Sequence, residues 1–484
     1  MENSEIRFGT DGWRGVIAED FTFDNVRRVA QATADFWNQT ARQGSKLAMV
    51  GYDTRFLSEV YAKLVCEVLA ANGIKALYPP VALPTPAVSY AVRAQNLCGA
   101  VMITASHNPP QFNGYKIKAE FAGPAGPDIC RQVEARIGQS PVRAINFDEA
   151  LRAGTIKLYD PRPSHVAAIK KLVDLKKIRS AQLKVVVDSM HGCGSRIIEE
   201  LLAGAARRTA RRFVQTICAD RDPLFGGVNP EPIGKNLGAL YSAVKKRHAH
   251  VGLATDGDAD RMGMVDNRGR YVSIQLVFAM LLLHLLRNRK EKGGCVVRST
   301  NCTVLIDRIC RTYGLECVEV PVGFKYICEQ MRQHDVLIGG EESGGLGFHG
   351  HIPERDGILA NLMLLEMLAV TKKGVTQIVA DIQKEFGKSA YDRIDLHYPL
   401  EKRQQLIETL LREPPRDLLG TPLARVNDLD GVKYIATDDS WLMFRASGTE
   451  PVIRIYSEAA SATRTQRLLK WGKSRAVAIA TSSP

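Results

Sequence analysis

Four short polar stretches in this sequence carry side chains that can act on a phosphate or a hydroxyl group. They are Thr104–Pro110 (T-A-S-H-N-P-P), Asp256–Arg261 (D-G-D-A-D-R), Gly340–Gly345 (G-E-E-S-G-G) and Arg445–Pro451 (R-A-S-G-T-E-P). Each follows an apolar run that predicts a β-strand, and ligands of open α/β sheets collect at the carboxyl ends of strands. Because the stretches lie in four regions of the chain, we expect a shared site to be a cleft between domains.

The first stretch offers a nucleophile. Ser106 provides a hydroxyl, His107 places an imidazole beside it, and the two prolines that follow hold the loop stiffly. The serine is not part of a G-x-S-x-G elbow, so a hydrolase triad is not indicated. A plain turn with a surface serine is the alternative interpretation of this stretch taken alone.

The second stretch predicts a cation site. Asp256, Asp258 and Asp260 alternate along the chain, so their carboxylates can converge on one hard cation. Three unpaired anions so close together would repel one another, which makes a purely structural role costly. An EF-hand is excluded because its glycine and glutamate positions hold Arg261 and Asn267. Magnesium is favoured, with Arg261 facing a phosphate on its other side.

The third and fourth stretches can bind a polyol and a phosphate. Glu341 and Ser343 supply groups that bind hydroxyls, and the flanking glycines let a ligand approach the backbone. Arg445, with two hydroxyls and a glycine just behind it, can hold a phosphate, although the spacing is not that of a Walker A loop. An acidic surface turn and a hairpin turn with an incidental arginine are the alternatives. Together the four stretches indicate phosphoryl transfer on a hydroxylated small molecule.

Composition indicates a globular protein with an anionic partner. The chain has 484 residues, of which 45% are apolar and 24% charged, so about three domains are expected, with four possible. Its net charge of +13 favours anionic ligands. Aromatic residues make up only 7% and do not interleave with the basic clusters, which gives a nucleic-acid platform little support. The densest basic cluster, 207–212, is predicted to be a solvated helix face.

Cysteine content and hydropathy favour a cytosolic protein. The ten cysteines include no C-x-x-C pair, and most sit beside an apolar residue, as Cys66, Cys98 and Cys310 do, so we expect reduced, buried thiols. The longest apolar stretch, 274–286, is shorter than the roughly 20 residues that span a bilayer and predicts a buried helix. The N-terminus lacks the basic-then-apolar order of a signal peptide.

Apolar β-rich runs alternate with longer helical stretches, which is typical of α/β units with parallel sheets. The segment after Lys388 differs, because shorter strands precede one final helix there, and this order suggests a small α+β domain. We predict strands at 46–51, 97–104, 184–188, 250–254, 294–298, 336–339, 431–436, 441–444 and 452–457, and helices at 58–72, 358–370 and 462–479.

The set of four stretches, in this order, resembles the α-D-phosphohexomutase superfamily, which includes phosphoglucomutases and phosphomannomutases. Three more stretches match it: Arg7–Gly15 (R-F-G-T-D-G-W-R-G), Asp222–Phe225 (D-P-L-F) and Pro321–Tyr326 (P-V-G-F-K-Y). The resemblance implies an α/β fold of three related α/β domains with mixed sheets plus a C-terminal α+β domain, around a central cleft. The implied domains are 1–155 with the phosphoserine loop, 156–268 with the metal loop, 269–385 with the sugar loop and 386–484 with the phosphate loop.

The resemblance also implies a role for each candidate residue. Ser106 would be the phosphoserine, and one Mg²⁺ would lie between its phosphate and the three aspartates. The remaining implied roles are acid/base work by Lys116; a position near the transferring phosphoryl group for Arg14 and His107; binding of the sugar's 3- and 4-hydroxyls by Glu341 and Ser343; contact with the sugar or its phosphate by Lys325; and binding of the other phosphate by Arg445, Ser447, Gly448 and Thr449. Arg261, which its own stretch places to face a phosphate, joins these catalytic candidates.

The implied reaction moves a phosphoryl group from the serine to a hexose phosphate and back from its other end. A hexose 1,6-bisphosphate would be both the intermediate and the activator. The sugar loop reads E-E-S-G-G as in phosphoglucomutases, whereas aminosugar mutases tend to have Q-S-G-H and dual mannose/glucose enzymes often have histidine at the place of Gly345. Glucose phosphate is therefore the first choice and mannose phosphate the second. We expect sugar phosphates as the only partners, no nucleic acid or membrane, and a monomer or homodimer.

Three other functions are alternatives to a phosphohexomutase. A metal-dependent sugar phosphatase would release free phosphate from glucose 1-phosphate. A degenerate mutase serving only as a binding protein is disfavoured because every implied catalytic position is present. A nucleic-acid binder, suggested only by the charge, predicts tight, salt-sensitive binding to DNA or RNA.

Overall fold

The computed structural model describes residues 6–9, 11–41, 46–204, 213–446 and 451–481. These residues form four β-sheets that follow one another along the chain, with helices packed against them. The first three sheets contain parallel and antiparallel strand pairs, and the fourth is antiparallel throughout. The predicted fold class, α/β with four domains, is confirmed.

The first sheet has six strands. They are β1 (Trp13–Val16), β2 (Leu47–Tyr52), β3 (Lys75–Tyr78), β4 (Gly99–Ile103), β5 (Phe112–Ala119) and β6 (Ile156–Leu158), in the spatial order β1-β5-β4-β2-β3-β6. Strands β4, β2, β3 and β6 run parallel to one another, and β5 runs antiparallel between β4 and β1. The helices of this region are Phe23–Thr40, Ser58–Ala71, Thr85–Ala94, Pro127–Glu134 and Phe147–Arg152.

The second and third sheets have five and four strands. The strands are β7 (Val185–Asp188), β8 (Val214–Ile217), β9 (Val251–Thr255), β10 (Met262–Asp266), β11 (Tyr271–Val272), β12 (Cys295–Ser299), β13 (Cys317–Val320), β14 (Val336–Gly340) and β15 (Leu346–Phe348). Their spatial orders are β11-β10-β9-β7-β8 and β13-β12-β14-β15. The helices are Arg162–Leu172, Leu175–Ser180, Ile197–Ala203, Gly238–Arg247, Ile274–Leu283, Val304–Tyr313, Phe324–Gln333, Gly357–Thr371 and Val375–Phe386.

These three sheets share one feature that positions the chemistry. In each sheet, the strand at the border of the parallel part is followed along the chain by its antiparallel neighbour: β4 by β5, β9 by β10 and β14 by β15. The serine, metal and sugar stretches are the three connections between these strand pairs. The loops are therefore structurally equivalent, at the carboxyl end of a central parallel strand where ligands bind in such sheets.

The fourth sheet belongs to the C-terminal domain. Its strands are β16 (Ala390–His397), β17 (Asp417–Leu418), β18 (Thr421–Asn427), β19 (Val432–Ala436), β20 (Trp441–Ala446) and β21 (Val452–Ala459), and the helices are Arg403–Arg412 and Ala462–Thr481. The strand order is β16-β21-β20-β19-β18-β17. The connection between β20 and β21 contains most of the predicted phosphate loop, and 447–450 lie outside the described residues, as does the basic cluster 207–212.

The core explains why the apolar stretch at 274–286 is a helix inside the protein. Helix Ile274–Leu283 is buried at every position but one, and it packs in one apolar cluster with helix Gly357–Thr371. No helix in the described parts of the chain has the length and apolar character needed to cross a membrane.

All ten cysteines are free thiols and seven of them are buried, as predicted. The predicted strands and helices also agree with the observed bounds to within two residues.

A buried lysine between the third and fourth sheets predicts a pH-dependent stability. Lys433 donates to the Thr300 carbonyl oxygen at 2.6 Å and lies 4.2 Å from the ring centre of Trp441. Burial, reinforced by the positive charge of Arg298, lowers the pKa of Lys433 from 10.5 to about 8. At pH values between about 8 and 10.5, Lys433 binds a proton in the unfolded chain but not in the folded chain, so the free energy of unfolding rises with pH over this range.

We expect the Lys433→Met variant to lose this rise, which amounts to about 3 kcal/mol in the wild type. Unfolding midpoints of both proteins, measured from neutral pH to above 10, test the prediction. The exposed Lys470 gives the control variant Lys470→Met. Parallel pH profiles for the wild type and Lys433→Met would contradict the prediction.

Candidate active site

The serine loop is held by one buried arginine. Arg55 is fully buried, and its guanidinium donates to three backbone carbonyl oxygens of the loop, including those of Ser106 and Asn108 at 2.7 Å, and to that of Phe112 at the start of β5. Asp53 accepts from the Arg55 Nε at 3.1 Å and from the Thr104 hydroxyl at 2.6 Å. Arg55 thereby balances the buried carboxylate and satisfies carbonyl groups that would otherwise be unpaired.

This loop presents the Ser106 hydroxyl directly to the metal loop. Ser106 has a left-handed backbone conformation, with φ of 52°, and its Oγ donates to the Asp256 Oδ2 at 2.8 Å. A Cβ atom at Gly257 would lie 2.6 Å from the Ser106 carbonyl oxygen, so only glycine allows the two loops to approach this closely. The structure therefore brings together the predicted nucleophile and the predicted cation site.

The three aspartates of the metal loop converge as predicted. All are fully buried, and ligand oxygens of Asp256, Asp258 and Asp260 lie within 4.8 Å of one another. The Oδ1 atoms of Asp258 and Asp260 are buried with no hydrogen-bond partner among the described residues. Burial and the negative charges of its two neighbours raise the pKa of Asp256 well above its ordinary value. Such a set of unsatisfied hard oxygens fits a magnesium ion.

Lys116 faces the same aspartates from the first sheet. Its Nζ lies 2.9 Å from the Asp258 carboxylate, 2.8 Å from that of Asp11 and 3.5 Å from that of Asp260. Burial alone would lower the pKa of Lys116, but these three carboxylates outweigh it and the pKa is raised. The Lys116 ammonium also lowers the pKa of Asp258 against the effect of burial, together with a 2.6 Å hydrogen bond from Thr85. Lys116 is therefore a cation at neutral pH.

A second buried cation, Arg355, was not predicted. Its guanidinium donates to Asp260 at 2.5 Å, to Asp11 at 2.8 Å and to Glu341 at 3.0 Å, so it joins the metal loop, the first sheet's N-terminal motif and the sugar loop. Its side chain also crosses Gly345, where a Cβ atom would lie 2.1 Å from the Arg355 Cδ. Its three carboxylate partners lie in stretches that the sequence singles out, whereas Arg355 itself carried no sequence signal.

The remaining predicted groups around Ser106 are positively charged or neutral donors. Arg14 donates to the Asn108 side chain at 2.6 Å, and the Arg261 Nε is buried without a hydrogen-bond partner among the described residues. Burial, reinforced by these two arginines, lowers the pKa of His107 well below its ordinary value, so its imidazole is neutral. These side chains form a basic wall that suits an anion next to the serine.

The sugar loop lies on the other side of Arg355. Glu341 is buried, and burial raises the pKa of its carboxyl although Arg355 opposes the change. Ser343 is half-buried in the same loop. Burial lowers the pKa of Lys325, and the positive charges of Arg445 and Arg131 act in the same direction. Arg445 donates to Asp430 at 2.8 Å, whereas Ser447, Gly448 and Thr449 lie outside the described residues.

The C-terminal domain also contacts the sugar loop directly, which sequence reasoning missed. Arg393 donates to the Glu342 carboxylate at 3.3 Å, and its guanidinium lies 4.0 Å from the carboxylate of Glu231 in the second domain. Asp430 accepts from the Val322 backbone N–H at 2.8 Å beside the predicted Lys325 segment. The fourth domain is thus packed against the cleft in this structure.

Comparisons with known proteins agree with this arrangement. Sequence models of the phosphoglucomutase/phosphomannomutase alpha/beta/alpha domains I, II and III match residues 5–142, 163–269 and 275–386, and that of the C-terminal domain matches 401–470. The chain belongs to the phosphoglucomutase/phosphomannomutase family. It is accordingly an enzyme of the phosphotransferase mutase type.

Members of this family from several organisms align with nearly the whole chain. A phosphoglucomutase/phosphomannomutase of Thermococcus kodakarensis is 31% identical over 96% of this chain and 97% of its own length. A protein of Pyrococcus abyssi named as a phosphoglucosamine mutase is also 31% identical, over 96% of both chains. A crystal structure from Thermus thermophilus, named as a phosphomannomutase, has a TM-score of 0.84 and 36% identity over 98% of this chain and 99% of its own. The names differ in the hexose.

Proposed function

We propose that this phosphohexomutase interconverts hexose 1-phosphate and hexose 6-phosphate, with glucose as the preferred hexose, through phospho-Ser106 and a hexose 1,6-bisphosphate. The observation that carries the proposal is the 2.8 Å hydrogen bond from Ser106 Oγ to Asp256, which joins a hydroxyl of one domain to a cation site of the next. Phosphoryl transfer needs positioning and charge neutralisation more than covalent chemistry by the protein, and this site offers both.

The phosphoryl group moves twice in the proposed cycle. First the Ser106 Oγ–P bond breaks while a bond forms from phosphorus to the free hydroxyl oxygen of the sugar phosphate, and the proton of that hydroxyl ends on Ser106 Oγ. The bisphosphate then turns. In the second step the bond between the opposite sugar oxygen and its phosphorus breaks while phosphorus bonds to Ser106 Oγ, and the serine proton ends on that sugar oxygen, which leaves the isomeric monophosphate. The basic wall of Arg14, His107 and Arg261 faces the transferring group in both steps.

Lys116 acts in this proposal as a proton donor and a counter-charge. Its three carboxylate partners keep it protonated, so in this state it is suited to donating a proton to the leaving oxygen rather than to abstracting one. The Lys116 ammonium also lies in the same carboxylate cluster as Asp258 and Asp260, at the cation site. This refines the acid/base role that the family resemblance implied.

Asp256, Asp258 and Asp260 would hold one Mg²⁺ together with the serine phosphate. When bound, the ion would neutralise charge on the phosphoryl oxygens. The unpartnered Oδ1 atoms of Asp258 and Asp260 support this assignment. Hexose 1,6-bisphosphate is proposed as the activator because it would restore any enzyme that has lost its serine phosphate.

The Asp258→Asn variant tests the cation site. Lys116 keeps Asp11 and Asp260 as partners in this variant, so the fold should persist. We expect the Mg²⁺ concentration for half-maximal activity to rise about 10- to 100-fold, or activity to be lost. The control is Asp220→Asn, because the Asp220 side chain is 94% exposed. Activity that resists both this substitution and a chelator would contradict the assignment.

The other end of the substrate is assigned to the sugar and phosphate loops. Glu341 and Ser343 would bind sugar hydroxyls, with Glu341 oriented by its 3.0 Å hydrogen bond from Arg355. Lys325 would contact the sugar or its phosphate. The phosphate that is not transferred would be bound by Arg445, Ser447, Gly448 and Thr449.

The preference for glucose follows from the sugar loop. Its E-E-S-G-G sequence resembles phosphoglucomutases, and Arg355 fills the space in front of Gly345, so this chain has no room there for the histidine of dual mannose/glucose enzymes. Mannose phosphate remains the second candidate. The monomer or homodimer state and the cytosolic location stay predictions.

Side-by-side kinetics with the 1-phosphates of glucose, mannose, glucosamine and N-acetylglucosamine test the proposal. We expect the highest kcat/KM for glucose 1-phosphate, with glucose 6-phosphate as product and dependence on a trace of glucose 1,6-bisphosphate. A higher kcat/KM for another hexose would overturn the glucose assignment alone. Stoichiometric release of inorganic phosphate would instead indicate the phosphatase.

A further inference from the structure

A second cluster of metal-ligating side chains lies outside the active site. His165 from helix Arg162–Leu172 and His351 from the loop after β15 both direct their Nε2 atoms at the Asp356 Oδ2, at 2.6 and 3.1 Å. The ligand atoms of all three residues lie within 4.8 Å of one another. His165 and Asp356 are fully buried and His351 is 8% exposed. The cluster is therefore closed to bulk water.

The cluster joins three parts of the fold. Tyr90, on helix Thr85–Ala94 of the first domain, packs against both imidazoles, with ring centres 6.1 Å from His165 and 6.2 Å from His351. His165 belongs to the predicted second domain and His351 and Asp356 to the third. Asp356 also accepts from the Ile358 and Leu359 N–H groups through Oδ1, which fixes the start of the buried helix Gly357–Thr371.

The cluster pairs three potential ligand atoms with one another. The Nε2 atoms of His165 and His351 share the single Oδ2 atom of Asp356, so an ion among them would give each of these three atoms its own bond. The Nδ1 atoms of both imidazoles are buried with no hydrogen-bond partner in the described part of the chain, and they lie across each ring from Asp356.

We propose that His165, His351 and Asp356 form a second metal site, for zinc or a similar divalent transition-metal ion. Two imidazoles and one carboxylate suit such ions, whereas the three carboxylates of the active site suit magnesium. Ligand bonds of about 2.1 Å in tetrahedral geometry separate ligand atoms by about 3.4 Å, so the N–O distances of His351 and His165 to Asp356 would open by about 0.3 and 0.8 Å. The ion would replace the shared hydrogen bonds and join the predicted second and third domains, with Tyr90 of the first domain packed against both imidazoles.

The site would also fix a residue of the catalytic cleft without taking part in the reaction. Asp356 directly follows Arg355, which joins Asp11, Asp260 and Glu341. A metal ion on Asp356 would hold this segment and the start of the helix behind it. The inference stands apart from the mutase reaction, because it concerns metal content and stability.

Metal retention by the full-length protein tests the proposal. The protein is equilibrated with Zn²⁺, and separately with Co²⁺, in the presence of a large excess of Mg²⁺ that saturates the oxygen site, and is then desalted. We expect about one equivalent of Zn²⁺ per chain and, with Co²⁺, visible absorption bands of a nitrogen-ligated ion. Asp258→Asn should retain the ion, whereas His351→Asn and His165→Asn should each lose it.

Thermal unfolding gives a second readout that does not depend on activity. Zn²⁺ should raise the unfolding midpoint of the wild type and of Asp258→Asn but not that of His351→Asn. A wild type that retains no Zn²⁺ or Co²⁺ would overturn the proposal and leave a hydrogen-bonded cluster only. Retention that is equal in both histidine variants, or lost only in Asp258→Asn, would overturn it as well.

Discussion

Replacing Ser106 with alanine is expected to lower turnover by about 10⁴-fold or more. The hydroxyl is the proposed carrier of the phosphoryl group, and no other group in the described cleft occupies its place against Asp256. The loop should keep its shape, because Arg55 holds its carbonyl groups and the Ser106 N–H donates to Thr104 Oγ1 at 2.8 Å.

Steady-state conversion of glucose 1-phosphate by Ser106→Ala, with glucose 1,6-bisphosphate present, measures this effect. An unchanged unfolding midpoint would show that the fold persists. The exposed Ser180, whose hydroxyl donates only to the Lys177 carbonyl oxygen, provides the control variant Ser180→Ala. If Ser106→Ala turned over substrate nearly as fast as the wild type, the reaction would not use the Ser106 hydroxyl.

Replacing Arg355 with methionine is expected to lower both activity and stability. The substitution leaves Glu341 without its buried cation and leaves Asp11 and Asp260 to share the Lys116 ammonium, and breaking such a group costs about 3–5 kcal/mol. We expect kcat/KM to fall about 100-fold or more, since the same residue positions the metal loop and the sugar loop.

If Arg355 only supported the fold, its replacement by lysine would not raise both the KM for sugar phosphate and the Mg²⁺ requirement. In Arg355→Lys, which keeps the charge but not the planar fork, we expect the KM for sugar phosphate and the Mg²⁺ requirement to rise together. The matched control is Arg412→Lys, because the Arg412 side chain is 72% exposed. An Arg355→Lys enzyme with both values unchanged would contradict the positioning role.

Much of the fold and of the candidate site could be predicted from the sequence, because the polar site residues directly follow strands of clear apolar character. Runs such as Gly99–Ile103 and Val251–Thr255 are buried at every position, and each ends at a polar loop with its own recognisable residues. The periodicity of the sequence therefore predicts both the strand and the place of the loop. The serine, metal and sugar loops lie at the predicted ends of their strands, because each connects a parallel strand to the antiparallel strand that follows it.

Arg355 and Thr85 could not be predicted in this way. Arg355 contacts Asp260 and Asp11, which lie 95 and 344 positions away in the chain, and Thr85 contacts Asp258 across 173 positions. No local spacing encodes such contacts, because they arise only when the domains assemble. Nor did residue type reveal that Lys116 is held protonated, since this depends on three carboxylates from two separate loops.

The central claim is that Ser106 carries a phosphoryl group between the two ends of one hexose. Its most direct test is to phosphorylate the protein with labelled glucose 1,6-bisphosphate, locate the label by peptide mass spectrometry, and then add unlabelled glucose 1-phosphate. We predict a label on Ser106 that passes to the sugar phosphate within a turnover. A label on another residue, or one released as inorganic phosphate, would contradict the claim.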